Sequence, residues 1–463
     1  MRWSLALALL AGVAWAEDTT STTSSSSSES SSSSDSTSTD TSIALSGATT
    51  ITDATAAVPT GSYEVYGTTI TLADGDHLTS TITQNSSATT SGNGTVVTTT
   101  SNSVTLLVGG AGTTTLGNSS MNATATTSST STAVATNTRP CNSYTEYCER
   151  KYSNITMVAA HNSPFVRKGN AAANQDYTVK YQLDDGVRML QFQAHNQNGT
   201  MELCHTSCSM LDVGTLEAYL VTVTEWIRNN PYDVVTLLMG NYDYVSPSHF
   251  VDPIKSSGLY DYVYTPSVVP MALDDWPTLS EMIITGKRVV VFMDYQANQT
   301  AYPWLMDEFS QLWETPFSPT SRDFPCTEQR PPGITEAQAK NRMYMANHNL
   351  NIELSLGSID LLIPNSAVLN ETNAVSGYGS LGKMARNCSA KWERPPNFLL
   401  VDYYNDGNFN GSVFEVAAEM NNVTYNNQSC CGTASAAVPG MSAVSFSTVV
   451  LVAAGVQFFL SAF

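Results

Sequence analysis

The sequence predicts an α/β protein, a TIM-like (β/α) barrel preceded by a disordered Ser/Thr-rich stalk. Three observations lead there. From Arg139 to residue 428 the chain carries dispersed charge and frequent aromatics, over about 290 residues, the usual size of one α/β barrel. Within that span, apolar runs at 155–160 (ITMVAA), 187–192 (VRMLQF), 234–239 (VVTLLM), 288–293 (RVVVFM) and 397–401 (NFLLV) are continuous rather than alternating. Continuous runs belong to strands covered on both faces. Between the second and third runs, Leu216, Leu220, Val223 and Ile227 recur at helical spacing, with Asp212 placed to cap the helix and Asn230-Pro231 to end it. Strand, helix, strand is the implied order.

The chain begins MRWSLALALLAGVAWA, with one Arg, an apolar stretch too short to span a bilayer and Ala14-x-Ala16. This pattern predicts a secretory signal at 1–16, cleaved after Ala16. Residues 17–138 hold nine acidic groups and no Lys or Arg, and 21–40 consists only of Ser, Thr, Asp and Glu. With nothing apolar to bury, such a stretch cannot offset the entropy of ordering and is expected to be an extended, O-glycosylated stalk. The strand-like runs at 63–72 and 102–110 read either as a small β unit or as further Thr-rich stalk. At the other end, 429–463 places small residues from Gly432 to Ala437, a short spacer with Pro439 and Gly440, and an apolar tail with no basic residue after it. That order predicts a glycosylphosphatidylinositol (GPI) attachment signal whose tail is removed, with a tail-anchored helix as the alternative. The barrel domain is therefore expected to occupy 139–428.

A net charge of −20 argues against nucleic acid as a partner and against electrostatic docking on anionic lipid. All eight cysteines follow residue 140 in a chain bound for an oxidising compartment, so disulfides are expected. Cys141–Cys148 and Cys204–Cys208 are among the sterically reasonable short pairings, and the full connectivity is not readable. Twelve N-x-Ser/Thr sites suit an exposed glycoprotein. The expected location is the outer face of the plasma membrane, held by the GPI anchor, or the cell wall.

Polar residues gather directly after the apolar runs: His161-Asn162, His195, Asn241 with Asp243, Asp294 and Asp402. In a parallel barrel the carboxyl ends of the strands form one rim, where the active site assembles. His161 is therefore expected at the mouth rather than in the packing. A second imidazole, His205, stands in LCHTSC between two cysteines; a bracing disulfide is favoured there over zinc. Two imidazoles can act as base and acid in cleaving a phosphodiester through a neighbouring hydroxyl.

The segments ITMVAAHNSPF, QLDDGVRMLQFQAH, LCHTSCSMLDVGTLEAYLVTVTEWIRNNPYDVVTLL, VVVFMDY and PNFLLVDYYNDGN carry a resemblance. Together they look like the PLC-like phosphodiesterase superfamily, most closely its fungal secreted branch related to the phosphatidylinositol-specific phospholipase C X-domain. The resemblance implies an imperfect barrel and attack by an inositol 2-hydroxyl on phosphorus to give a cyclic phosphate. It implies His161 as general base, His205 as general acid and Asp402 as the carboxylate orienting a histidine. Asn162 matches the residue that ligates the metal in the calcium-dependent branch.

The departures bear on mechanism. Where the family has an acidic residue, then Arg or Asp two positions later, this chain has Gln191 and Gln193. Losing those carboxylates argues against a calcium site, so no metal or other cofactor is expected. Nor does Gln193 supply the arginine that replaces calcium elsewhere, a loss worth roughly 10²–10³ in rate. Arg188, Lys287, Arg288 and Arg394 are the substitute cations considered, and Arg188 is expected to point away from Gln191 by strand alternation. Asn162, Arg188, Gln191, Gln193, Asp294 and Tyr403 form the expected substrate-contacting set. Two functions follow: a phosphoric diester hydrolase acting on an inositol phospholipid or a glycosylated inositol lipid, or a cell-surface glycoprotein that keeps the barrel for binding without turnover.

Overall fold

Eight parallel strands make one sheet: β1 (Met157–Ala160), β2 (Met189–Gln193), β3 (Val235–Gly240), β4 (Val289–Met293), β5 (Leu305–Asp307), β6 (Leu312–Glu314), β7 (Met343–Asn347) and β8 (Phe398–Val401). The computed structural model describes residues 63–66, 68–72, 89–90, 95–96, 139–356, 359–426 and 430–432. The expected signal peptide, most of the stalk, the run at 102–110 and the tail after Gly432 lie outside the described residues. Strand order is β5-β4-β3-β2-β1-β8-β7-β6, so neighbours in sequence are neighbours in the sheet. Among the described residues no ladder joins β5 to β6, which leaves the barrel open at that seam.

Five of these strands fall on the five apolar runs, and their two faces serve different layers. Met157, Ala159, Met189, Leu238, Phe292, Met345, Phe398 and Leu400 fill the barrel interior. The alternate residues, including Val158, Leu190, Phe192, Leu237, Val291 and Leu399, pack outward against the helices. Burial on both faces is why the runs are continuous. Tyr152, Trp276 and the Cys141–Cys148 disulfide close the amino-terminal end.

The expected helix is α2 (Leu216–Asn229), following α1 (Val179–Asp185). Its cap is Thr215, whose Oγ1 accepts the Ala218 amide at 3.1 Å. Asp212 instead lies in the strand Asp212–Thr215, its carboxylate taken by the Gly214 amide. A Thr directly before the first turn reaches its amides, whereas a residue three positions earlier is already extended.

Part of the run at 63–72 lies on the barrel. Ile70 and Thr71 pair antiparallel with Val269 and Val268, and the Tyr63 ring packs 4.9 Å from Phe309. At the other end Gly432 donates its amide to Asp185 at 2.9 and 3.0 Å. Both expected short disulfides form, and Cys326–Cys388 and Cys430–Cys431 complete the set. Cys326–Cys388 ties the loop after β6 to α3 (Leu381–Trp392) across 62 residues. Replacing both by Ala is expected to cost about 4 kcal/mol by the chain-entropy estimate for a loop of that length, measurable by urea unfolding under non-reducing conditions.

Candidate active site

The interior register of each strand, continued past its last residue, brings polar groups to the carboxyl-terminal mouth. Met157 and Ala159 lead to His161, Met189 to Gln191 and Gln193, Val290 and Phe292 to Asp294, Met343 and Met345 to Asn347, and Phe398 and Leu400 to Asp402. Strand period alone places them on one face. β1 and β8 are adjacent, and past their ends lie His161 and Asp402, each followed by a residue with positive φ: Asn162 at 48° and Tyr403 at 44°. Asn enters that region readily, while Tyr does so at a cost of roughly 1–2 kcal/mol.

His161 Nδ1 lies 2.7 Å from Asp402 Oδ1, and both residues are largely buried. Asn174, fully buried, donates its amide to the same oxygen at 2.8 Å. A carboxylate can only accept, so Nδ1 carries the proton and Nε2 the lone pair. Facing Nε2 are the amide nitrogens of Asn162 at 3.2 Å and Asn349 at 3.5 Å, both donors consistent with that tautomer. Asp402 Oδ2 and the side-chain oxygens of Asn162, Asn174 and Asn349 are buried and have no hydrogen-bond partner among the described residues. Four unpaired acceptors around one imidazole form an environment prepared for hydrogen-bond donors.

His205 reaches this region by a fold-back. After β2 the strand His195–Gln197 leaves the sheet, and Thr200–Cys204 returns antiparallel to it with Glu202 opposite His195. His205 thus descends about 10 Å from the level of His195, toward that of Gln191. The Cys204–Cys208 disulfide and the Leu211 carbonyl, which accepts the His205 amide at 2.9 Å, fix the turn. The buried Phe165 packs edge-on to the His205 ring at 5.2 Å, and its carbonyl accepts the Asn174 amide at 2.9 Å. One loop therefore supports both imidazoles.

Burial pushes His205 down to about 4, with the His161 charge adding to the effect and Asp402 opposing it. Those influences put His205 within electrostatic reach of both. Because the folded value lies below the ordinary 6.5, the unfolded chain binds more protons between pH 4 and 6.5. His205 therefore contributes stability that is complete above about pH 6.5 and lost as pH falls toward 4. Asp294 and Asp307, raised by burial to about 6 and about 7, act in the opposite sense. Unfolding of wild type against His205→Gln isolates the effect: wild type should lose on the order of 3 kcal/mol relative to the variant between pH 7 and 4.

Of the remaining expected residues, Gln191 Oε1 accepts the Asn162 amide at 2.8 Å, and Asp294 lines the same cavity as His161. Gln193 ends β2 opposite Gly240 on the same inward register. Tyr403 clamps the 173–174 segment, donating its hydroxyl to the Ala173 carbonyl at 2.5 Å and its amide to that of Asn174 at 2.8 Å. Arg188 is not brought to the site. It precedes β2 at the opposite end of the barrel, bonding Asp233 at 2.7 and 3.1 Å and the Leu183 carbonyl at 2.7 Å. Arg288 and Arg394 are similarly held by backbone carbonyls at that end, and Lys287 bonds the Asp261 carbonyl at 2.9 Å. The cation that does line the cavity is Arg330, which sequence reasoning did not single out. Its Nη1 bonds both Glu314 oxygens at 3.0 and 3.2 Å, and its Nη2 bonds the Tyr295 hydroxyl at 3.0 Å.

Residues 147–421, more than half of the chain, match the family model PI-PLC X 1. The chain belongs to the PI-PLC X family. This PI-PLC X chain is 65% identical over 297 residues to an uncharacterized secreted protein of Arthroderma benhamiae, covering 64% of this chain and 67% of that one. It is 42% identical over 270 residues to PI-PLC X domain-containing protein 1 of the same organism, covering 58% and 86%. A PI-PLC X domain-containing protein of Arabidopsis thaliana is 27% identical over 280 residues, covering 58% and 59%. Among solved structures, the phosphatidylinositol-specific phospholipase C of Listeria monocytogenes aligns with a TM-score of 0.40 at 12% identity, over 60% of this chain and 96% of that one.

Proposed function

We propose that this PI-PLC X protein is a metal-independent phosphodiesterase that cleaves an inositol lipid, or a glycosylated inositol lipid, at the cell surface. The observation that carries the reading is the 2.7 Å bond from His161 Nδ1 to Asp402, which puts the lone pair on Nε2, where a substrate hydroxyl would take the place of the Asn162 and Asn349 amide donors. His161 Nε2 takes the proton of the inositol 2-hydroxyl as that oxygen bonds to phosphorus. The bond from phosphorus to the glycerol oxygen breaks, and His205 donates a proton to that oxygen. The products are a cyclic inositol phosphate and a free diacylglycerol. Asp402 stabilises the imidazolium formed on His161 and keeps its orientation, with Asn174 holding the carboxylate.

Gln191 and Gln193 in place of charged groups support the metal-independent form, and Arg330 is already committed to Glu314. Charge developing on the phosphate therefore meets mainly His205 and carboxamide donors, and slow turnover is expected. Held near 4 by burial, His205 acquires its proton alongside the phosphodiester anion. kcat/KM should accordingly fall as pH rises from 6 to 8; a flat profile there would exclude His205 as the acid.

The sequence supports the wider organisation: signal at 1–16, stalk at 17–138, barrel at 139–428 and GPI signal at 429–463. A relative named as secreted supports an extracellular location. Purified protein assayed on phosphatidylinositol vesicles with and without chelator tests the activity. The reading expects equal release of water-soluble phosphate in both, and activity abolished by chelator would contradict it.

A further inference from the structure

Two residues beyond Asn349 the chain leaves the mouth as a β-hairpin, Asn351–Leu356 paired antiparallel with Ile359–Pro364. Its base is fixed to the rim. Asn351 donates its backbone amide to the Pro319 carbonyl and its side-chain nitrogen to the Asn349 carbonyl, both at 2.8 Å, and the Asn365 amide reaches the Leu350 carbonyl at 2.8 Å. Among the described residues these two strands form a sheet of their own. The register sorts the hairpin by polarity. Ile352 stands opposite Ile363, Leu354 opposite Leu361 and Leu356 opposite Ile359. Alternation places all six residues on one face, while Glu353, Ser355 and Asp360 share the other with Leu362. In an antiparallel sheet this pattern marks one face for water and one for a cover. At the base of the hairpin the barrel does not supply that cover: Ile352 is 38% exposed, and neither it nor Ile363 belongs to a core cluster among the described residues. A two-stranded hairpin is marginal in water until its apolar face packs on something.

We propose that the aliphatic face of this hairpin docks into the apolar layer of a zwitterionic lipid surface and holds the mouth against it. The proposal rests on the reading of the mouth as an inositol-lipid site and adds how that site meets the membrane. Position and charge select the occupant. The hairpin grows from the same segment that carries Asn347 and Asn349 to the cavity lined by His161, so whatever surface delivers a lipid to His161 also meets the hairpin. No Lys or Arg occurs from residue 350 to 365, and the net charge of the chain is −20, so an anionic surface is not attracted there. Burial of aliphatic side chains supplies the affinity instead, and it does not require charge on the lipid.

Flotation of the chain from Glu17 to Gly432 with phosphatidylcholine vesicles that contain no inositol lipid tests this without turnover and without the apolar tail beyond Gly432. The protein should float with the vesicles equally in low and high salt. A Leu354→Ser, Leu361→Ser double variant should lose at least about tenfold in affinity for the vesicles, since burying one such side chain is itself worth about that factor. The same variant should cleave a monomeric short-chain inositol phosphodiester at the wild-type rate, and phosphatidylinositol in vesicles about tenfold more slowly. Wild-type protein that stays unbound, or a variant that floats equally well, would overturn the proposal. So would a dimer that ignores vesicles and that the double variant dissociates, which would give the face to a second copy of the chain. Vesicle binding lost in the variant of a protein that cleaves neither substrate would refute the hydrolase reading and support this one.

Discussion

His161→Ala is expected to lower kcat on phosphatidylinositol by about 10²–10⁴, the usual contribution of a positioned general base. Asp402→Asn should fall in the same range while leaving the fold intact. An Asn at 402 still reaches His161 Nδ1, but its amide can donate there, which favours the tautomer protonated on Nε2 and removes the lone pair the mechanism needs. The check is steady-state kinetics beside circular dichroism of each variant. Both losses should appear in kcat with little change in KM, because binding of the ring and lipid does not depend on the proton.

Arg330→Met is expected to be the most destabilising single change near the mouth, by about 3–5 kcal/mol in urea unfolding. Arg330 is 3% exposed, bonded to Glu314 and stacked against Phe309 at 4.8 Å and Phe317 at 4.6 Å. Met restores much of the packing volume, so the loss is chiefly electrostatic: three buried carboxyl groups remain without a cation. Asp294, raised by burial to about 6, loses the guanidinium that opposes that rise, so the deficit should grow from pH 5.5 to pH 8 as its ionisation is resisted. A companion Glu314→Gln change should recover part of the loss, since it removes the charge that Arg330 neutralises.

How much of this was legible beforehand differs by element. Five strands were readable because each lies on a four- to six-residue stretch that is mostly apolar, interrupted in Met189–Gln193 by the two glutamines that face the interior. Leu305–Asp307 and Leu312–Glu314 are three residues each, too short for any periodicity to register. Met343–Asn347 runs from Asn347 straight into His348-Asn349, and that polar run masks its apolar start. His161, His205 and Asp402 were readable from their places after the apolar runs and within the matching segments. Asn174, Asn349 and Arg330 were not, because each stands in a loop whose path is set by contacts distant in sequence. Asn174 meets Asp402 across 228 residues, and nothing local marks it. The one available signal was strand alternation, which carries Asp294 and Asn347 inward from the ends of β4 and β7. The same register extended to β6 places Glu314 inside, and a buried Glu calls for a buried cation.

The most direct test is phosphorus NMR of the water-soluble product released from phosphatidylinositol by wild-type protein in excess chelator. Two histidines acting on one phosphorus without a bound cation should give the five-membered cyclic inositol phosphate as the first product, formed at least about a hundredfold more slowly by His161→Ala. A first product that is the acyclic monophosphate, or no product until a divalent cation is restored, would contradict the mechanism at its centre.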